Sequence, residues 1–187
     1  YTVTDANGCS TTTSVTVSEP TAVSASSSAT AILCNGGNST VSVSATGGTS
    51  PYTGTGTFTR GAGTWSFTVT DANGCSTSTS VTITQPNALV ASSTAGTIAC
   101  NGGTTTVTVS ATGGTAPYTG TGPFSVTAGT YTYTVTDANG CTNSATITVT
   151  QPSAVVATYS ATPILCYGQS STVTISATGG TAPYTGI

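Results

Sequence analysis

Val69-Thr70-Asp71-Ala72-Asn73-Gly74-Cys75 recurs as Val3 to Cys9 and as Val135 to Cys141 with every residue type unchanged. Asp5, Asp71 and Asp137 are 66 residues apart, and Cys34, Cys100 and Cys166 keep the same interval, as do Pro20, Pro86 and Pro152 and Tyr52, Tyr118 and Tyr184. A fixed period of this size, held without an insertion, indicates like structural units laid end to end. The expected divisions are residues 1–20 as the C-terminal part of a repeat, 21–86 and 87–152 as complete repeats, and 153–187 as the N-terminal part of another. Tyr1 aligns with Phe67 and Tyr133, and Ile187 with Thr55 and Thr121. The two partial ends together therefore lack only the equivalents of residues 122–132.

Working outward from the Asp-Ala-Asn-Gly stretch, apolar and hydroxylated residues alternate. Val41, Val43 and Ala45 interleave with Ser42 and Ser44; Trp65, Phe67 and Val69 with Ser66 and Thr68; Val81 and Ile83 with Thr82 and Thr84. Each run reads as a strand with one buried and one wet face, in β-branched residues that suit a pleated surface. No run has the i, i+3, i+4 spacing of an amphipathic helix. In the quoted stretch the Asp side chain can accept from the backbone two residues on, and Gly supplies the left-handed conformation of a tight hairpin. Thr46-Gly47-Gly48-Thr49 with Pro51-Tyr52 marks a loop, as does Asn35-Gly36-Gly37; the last unit departs with Tyr167-Gly168-Gln169. About six or seven short strands are expected per unit, over 22–33, 39–46, 52–59, 64–70 and 76–84, the first of these whole or broken in two. The fold class is all-β, a tandem array of small immunoglobulin-like β-sandwich repeats running through Pro-stiffened linkers.

Composition narrows the chemistry. Charged residues are 3% of the chain, there is no His and no Met, and Ser plus Thr number 73 of 187. The single Lys-or-Arg residue is Arg60, so Lys is absent and Lys–Asn isopeptide staples are excluded. One carboxylate per unit makes no acid–base pair, and no imidazole exists to activate a Ser or Cys nucleophile, so no catalytic residue is assigned and no enzyme is expected. A net charge of −3 with one Arg offers no basic patch for nucleic acid. No apolar run approaches the ~20 residues that cross a bilayer, so no membrane insertion is expected.

Six cysteines in phase with the period indicate disulfides and an oxidising compartment, whereas zinc needs clustered ligands that two distant Cys per unit do not provide. Three pairings are open: 41 residues apart within a repeat, 25 apart across the Pro boundary, or between neighbouring repeats, as in Cys34 with Cys141. Loop-closure entropy separates the first two by only about 0.4 kcal/mol. The repeat-internal pairs Cys34–Cys75 and Cys100–Cys141 are taken as the expectation, with Cys9 and Cys166 pairing outside these residues.

Several side chains carry a sharper reading beside a plain one. Asp5, Asp71 and Asp137 are calcium candidates, but calcium takes six to eight oxygens and one Asp per unit supplies few; the turn-forming role is preferred, and no cofactor is assigned. Thr132-Tyr133-Thr134-Val135-Thr136 fits an ice-binding row or the ordinary polar face of a strand. Trp65 fits a sugar platform or, with Phe67 and Val69 in register, a buried core position, which is preferred. Arg60 has no copy, Val126 standing at its place. Asn38-Ser39-Thr40 fits an N-glycosylation acceptor absent from the other units, and the Ser and Thr rows are candidates for O-linked sugar.

Cys100-Asn101-Gly102-Gly103, Ala111-Thr112-Gly113-Gly114-Thr115-Ala116-Pro117-Tyr118, the run Ala128 to Cys141 and Thr150-Gln151-Pro152 together resemble the SprB-type repeat of very long surface adhesins of gliding Bacteroidota, exported by type IX secretion. The resemblance implies an extracellular stalk or filament on the cell surface, used in adhesion or gliding motility. Its partners would be neighbouring repeats of the same chain and other copies in a filament; a multivalent glycan- or surface-binding module is the alternative. Tyr52-Thr53-Gly54-Thr55-Gly56 departs from the aromatic-rich strand common after Pro-Tyr in that family.

Overall fold

The computed structural model describes residues Tyr1–Gly186, which form fourteen β-strands and no helix. They divide into two compact units, Tyr1–Ile32 with Gly37–Thr84, and Leu33–Gly36 with the described residues from Gln85 onward.

In the first unit, β1 (Thr2–Thr4) and β2 (Ser10–Thr12) form a short antiparallel hairpin. β3 (Ser24–Ala29), β4 (Ser39–Thr46) and β5 (Gly56–Arg60) form a three-stranded antiparallel sheet with β4 central, while β6 (Gly63–Thr70) and β7 (Ser76–Ile83) pair as a second sheet. Strict alternation on β4 turns Ser39, Val41 and Val43 inward, and the same period on β6 turns Phe67 and Val69 toward them. With Ile32 and Ile83 these form one core between the sheets, joined by half-buried Tyr52, Phe58 and Val81. Ser27 Oγ and Thr79 Oγ1, 3.0 Å apart, tie β3 to β7.

The second unit repeats this arrangement with β8 (Val90–Ala95), β9 (Thr105–Thr112), β10 (Gly122–Val126), β11 (Gly129–Thr136) and β12 (Thr142–Val149). Its core holds Leu89, Ile98, Val107, Val109, Val135 and Val149. A further antiparallel pair, β13 (Val156–Ala161) with β14 (Val173–Thr178), closes the chain.

Five strands, not six or seven, make each sandwich. The expected strand over 52–59 starts late, at Gly56, because Gly54 has φ of 81° and a Cβ there would stand 2.1 Å from the Thr68 carbonyl oxygen. A side chain at Gly54 would collide with that backbone, so the segment loops over β6, lying close to Thr68 and joined to the strand by the Thr53–Thr70 bridge. Tyr52 closes the loop by donating its hydroxyl to the Gly47 carbonyl at 2.6 Å, and Tyr118 donates to Gly113 at the same distance.

Trp65 is a correction. It is 38% exposed, and its indole nitrogen donates to the Gly61 carbonyl at 3.1 Å. The Arg60 guanidinium lies 4.9 Å from its ring centroid and within 6 Å of Phe58 and Phe67. Arg60 thus caps the open edge of the first core through its planar cation rather than standing free on the surface. In the second unit Tyr131 takes the Trp position and stacks on Tyr133.

Candidate functional site

The recurring turn is built around one carboxylate. Asp71 Oδ1 accepts from the amides of Asn73 at 2.9 Å and Cys75 at 2.8 Å, and Oδ2 accepts from Thr49 at 2.9 Å. Asp137 accepts the same three bonds, from Asn139, Cys141 and Thr115, each at 2.9 Å. Both side chains are buried. The amide of Thr49, then those of Cys75, Asn73 and Gly74, hold Asp71 below the usual carboxylate range against the opposing effect of burial. At Asp137 burial acts upward, and the amides of Thr115, Cys141, Asn139 and Gly140 outweigh it, leaving that carboxyl lowered too. Asp5 keeps only the bonds from Asn7 and Cys9 and is exposed. At Asp71 and Asp137 N–H groups converge on both carboxylate oxygens, a setting made for a structural anion.

The turn presents its cysteine at a defined place, and the disulfide there is not the expected one. Cys34 is bonded to Cys141, with Cα atoms 5.7 Å apart, so neither Cys34–Cys75 nor Cys100–Cys141 is formed. Cys9, Cys75, Cys100 and Cys166 are free and exposed. The cause lies in the docking of the Cys34 loop, a larger effect than the small difference in loop entropy. Leu33–Gly36 belongs to the second unit. There Asn35 Nδ2 donates to the Pro86 carbonyl at 3.0 Å, and the Gly36 amide donates to Gln85 Oε1 at 2.8 Å. Asn139 Nδ2 donates both to Thr115 Oγ1 at 3.0 Å and to the Leu33 carbonyl at 3.1 Å, setting Cys34 against Cys141. Counted in sequence, the bond spans 107 residues and joins one 66-residue period to the next.

The same clamp recurs where no disulfide forms. Asn101 Nδ2 donates to the Pro152 carbonyl at 3.0 Å and the Gly102 amide to Gln151 Oε1 at 2.7 Å. Sequence reasoning assigned Gln85 and Gln151 no role. The signal was available in the joint recurrence of Asn-Gly with Gln-Pro, but nothing in the sequence says that these motifs meet.

On the outer face of β11 and β12, hydroxyls pair across the strands: Thr130 with Thr148 at 3.0 Å, Thr132 with Thr146 at 2.9 Å and Thr134 with Ser144 at 2.9 Å. The Thr row therefore spends hydrogen-bonding capacity on itself, as a polar sheet face does. Asn38 is exposed at the entry to β4, whereas Ser39 of the same triplet is buried and donates to the Thr30 carbonyl at 2.6 Å. No group of three or more His, Cys, Asp or Glu side chains placed to hold a metal occurs among the described residues. No helix among them is long and apolar enough to cross a membrane.

Residues 158–185, which carry β13 from Thr158 on, β14 and the loop through the cis bond Ala182–Pro183, match the family model described as the SprB repeat. No curated protein matches the chain.

Proposed function

We propose that the chain is a structural repeat segment of a long extracellular adhesin or filament, serving as the stalk in surface adhesion or gliding motility. The observation that carries this reading is the Cys34–Cys141 bond, which ties successive sequence periods together covalently. A bond so placed limits how far a pulled chain can extend, because the residues enclosed by it cannot bear the end-to-end load until it is reduced. Disulfides persist in oxidising surroundings, in keeping with a location outside the cell. The SprB repeat match in residues 158–185 supports the same assignment. Near-identical units favour uniform mechanics over a unique pocket, and an almost uncharged, hydroxyl-rich surface suits a spacer.

Antibodies raised against the 187-residue chain test the proposal by immuno-electron microscopy. Labelled fibres projecting from intact source cells are expected. Label found only after the cells are broken would overturn it.

A further inference from the structure

Asn35-Gly36, Asn73-Gly74, Asn101-Gly102 and Asn139-Gly140 put four Asn-Gly pairs within the two compact units. Asn-Gly is the dipeptide most prone to lose ammonia, because nothing on Gly hinders its amide nitrogen from attacking the Asn carboxamide. All four Asn residues are exposed, so water reaches them and burial gives them no protection.

Hydrogen bonds protect them instead, and they hold both reacting groups of every pair. The Gly36 amide donates to Gln85 Oε1 at 2.8 Å while Asn35 Nδ2 donates to the Pro86 carbonyl at 3.0 Å. Gly102 and Asn101 hold Gln151 and Pro152 in the same way, at 2.7 and 3.0 Å. The Gly74 amide donates to the Asp71 carbonyl at 3.1 Å, and Asn73 Nδ2 to Thr49 Oγ1 at 2.9 Å. Gly140 donates to the Asp137 carbonyl at 3.0 Å, and Asn139 Nδ2 to Thr115 and Leu33. The first bond of each pair keeps the proton on the nitrogen that must lose it, since hydrogen bonding to a neutral form disfavours its ionisation. The second ties the carboxamide to a partner outside the pair, so its carbon cannot swing freely into a near-attack arrangement.

The two kinds of pair differ in how this shield can fail. In the Asp turns the amide's acceptor lies three residues back, so the shield lasts as long as the hairpin. In the Cys34 and Cys100 loops both acceptors belong to Gln-Pro, 49 and 51 residues away. Undocking such a loop therefore removes both bonds at once while the strands stay paired.

We infer that Asn35 and Asn101 are self-modifying sites, kept as asparagine by the Gln-Pro clamp and converted to aspartate or isoaspartate when the clamp opens. The Gly36 nitrogen gives up its proton and bonds to the Asn35 carboxamide carbon. The bond from that carbon to Nδ2 breaks, and ammonia leaves with the proton. Water then opens the five-membered imide at either carbonyl, and no other reactant is consumed. The product carries an oxygen anion where Nδ2 donated to the Pro86 carbonyl, so that bond cannot re-form. An opening that lasts long enough for this chemistry is thereby made permanent.

The test incubates the 187-residue chain in mildly alkaline buffer, digests it with pepsin in acid, where the imide forms slowly, and reads each Asn by peptide mass spectrometry. Asn35 and Asn101 should convert at least tenfold more slowly in the folded chain than in urea with reductant. Gln85→Ala removes the Gly36 acceptor and should speed conversion of Asn35 by tenfold or more, while Asn101 in the same molecule keeps its slow rate. Gln151→Ala should do the reverse. Folded-chain rates equal to those in urea overturn the inference. So does a Gln85→Ala chain in which Asn35 stays slow, or variants that speed both sites alike, which is general loosening of the unit. Asn35→Asp places the product in the loop, and its Cys34–Cys141 bond should yield to reduced glutathione several times faster than in wild type. An unchanged rate would show that the converted loop still docks and that the opening is not permanent.

Discussion

Asp71 Oδ2 accepts the backbone hydrogen of Thr49 at 2.9 Å, a contact across 22 residues that binds the β6–β7 turn to the double-glycine loop. Asp71 and Asp137 both have carboxyls lowered in the folded state. A depressed carboxyl contributes stability that is fully present above its unfolded value, 3.8, and is lost as pH falls through the lower folded value. Thermal unfolding followed by circular dichroism should therefore be flat from pH 7 to about pH 5 and fall steeply below about pH 4. Asp71→Asn should unfold at a lower temperature than wild type at pH 7, with a shallower acid limb.

The Cys34–Cys141 bond encloses a loop of 107 residues. Chain-entropy reasoning gives a cross-link of that span a stabilising effect of roughly 4–5 kcal/mol. Denaturant unfolding of Cys34→Ser should show the second unit giving way at distinctly lower denaturant than in the oxidised chain. Reductant added to wild type should reproduce that curve. Cys100→Ser, at a free and exposed thiol, should leave the curve unmoved.

Gly48 has φ of 59°, and a Cβ there would stand 2.6 Å from Asp71 Oδ2 as well as against Val23. Gly48→Ala combines left-handed strain, about 1–3 kcal/mol by itself, with displacement of the carboxylate from the Thr49 amide. Its loss of stability in a thermal melt should exceed that of Gly74→Ala, where φ is also positive but the space is open.

Val41 and Val173 occupy the same place in the period, one fully buried and the other largely exposed. Val41→Ala should cost roughly 2–3 kcal/mol by opening a cavity between the sheets. Val173→Ala should lie within about 0.5 kcal/mol of wild type in the 187-residue chain. Calorimetry of the two single variants compares them directly.

The strands were legible because Val41-Ser42-Val43-Ser44 and Phe67-Thr68-Val69 alternate without interruption, and burial on one face enforces that period. The Asp turn was legible because an Asx turn is local chemistry, closed within four residues. Trp65 and Arg60 were not, because the ring's place depends on a cation from another strand that has no counterpart in the second unit. The disulfide was misplaced for a related reason. Nothing local distinguishes Cys75 from Cys141, and only the docking of Asn35 and Gly36 on Gln85-Pro86 decides which cysteine the loop reaches.

The Asn35 clamp on Pro86 also bears on how such a chain can change length over evolutionary time. Cys34 reaches its partner one period plus 41 residues along the chain, and the clamps at Gln85-Pro86 and Gln151-Pro152 keep the same place in each period. Recombination between misaligned copies of the gene that inserts or deletes a whole period leaves this spacing intact throughout the interior. A crossover out of phase would strand a thiol and unseat a linker together, so viable length variants should differ by whole units.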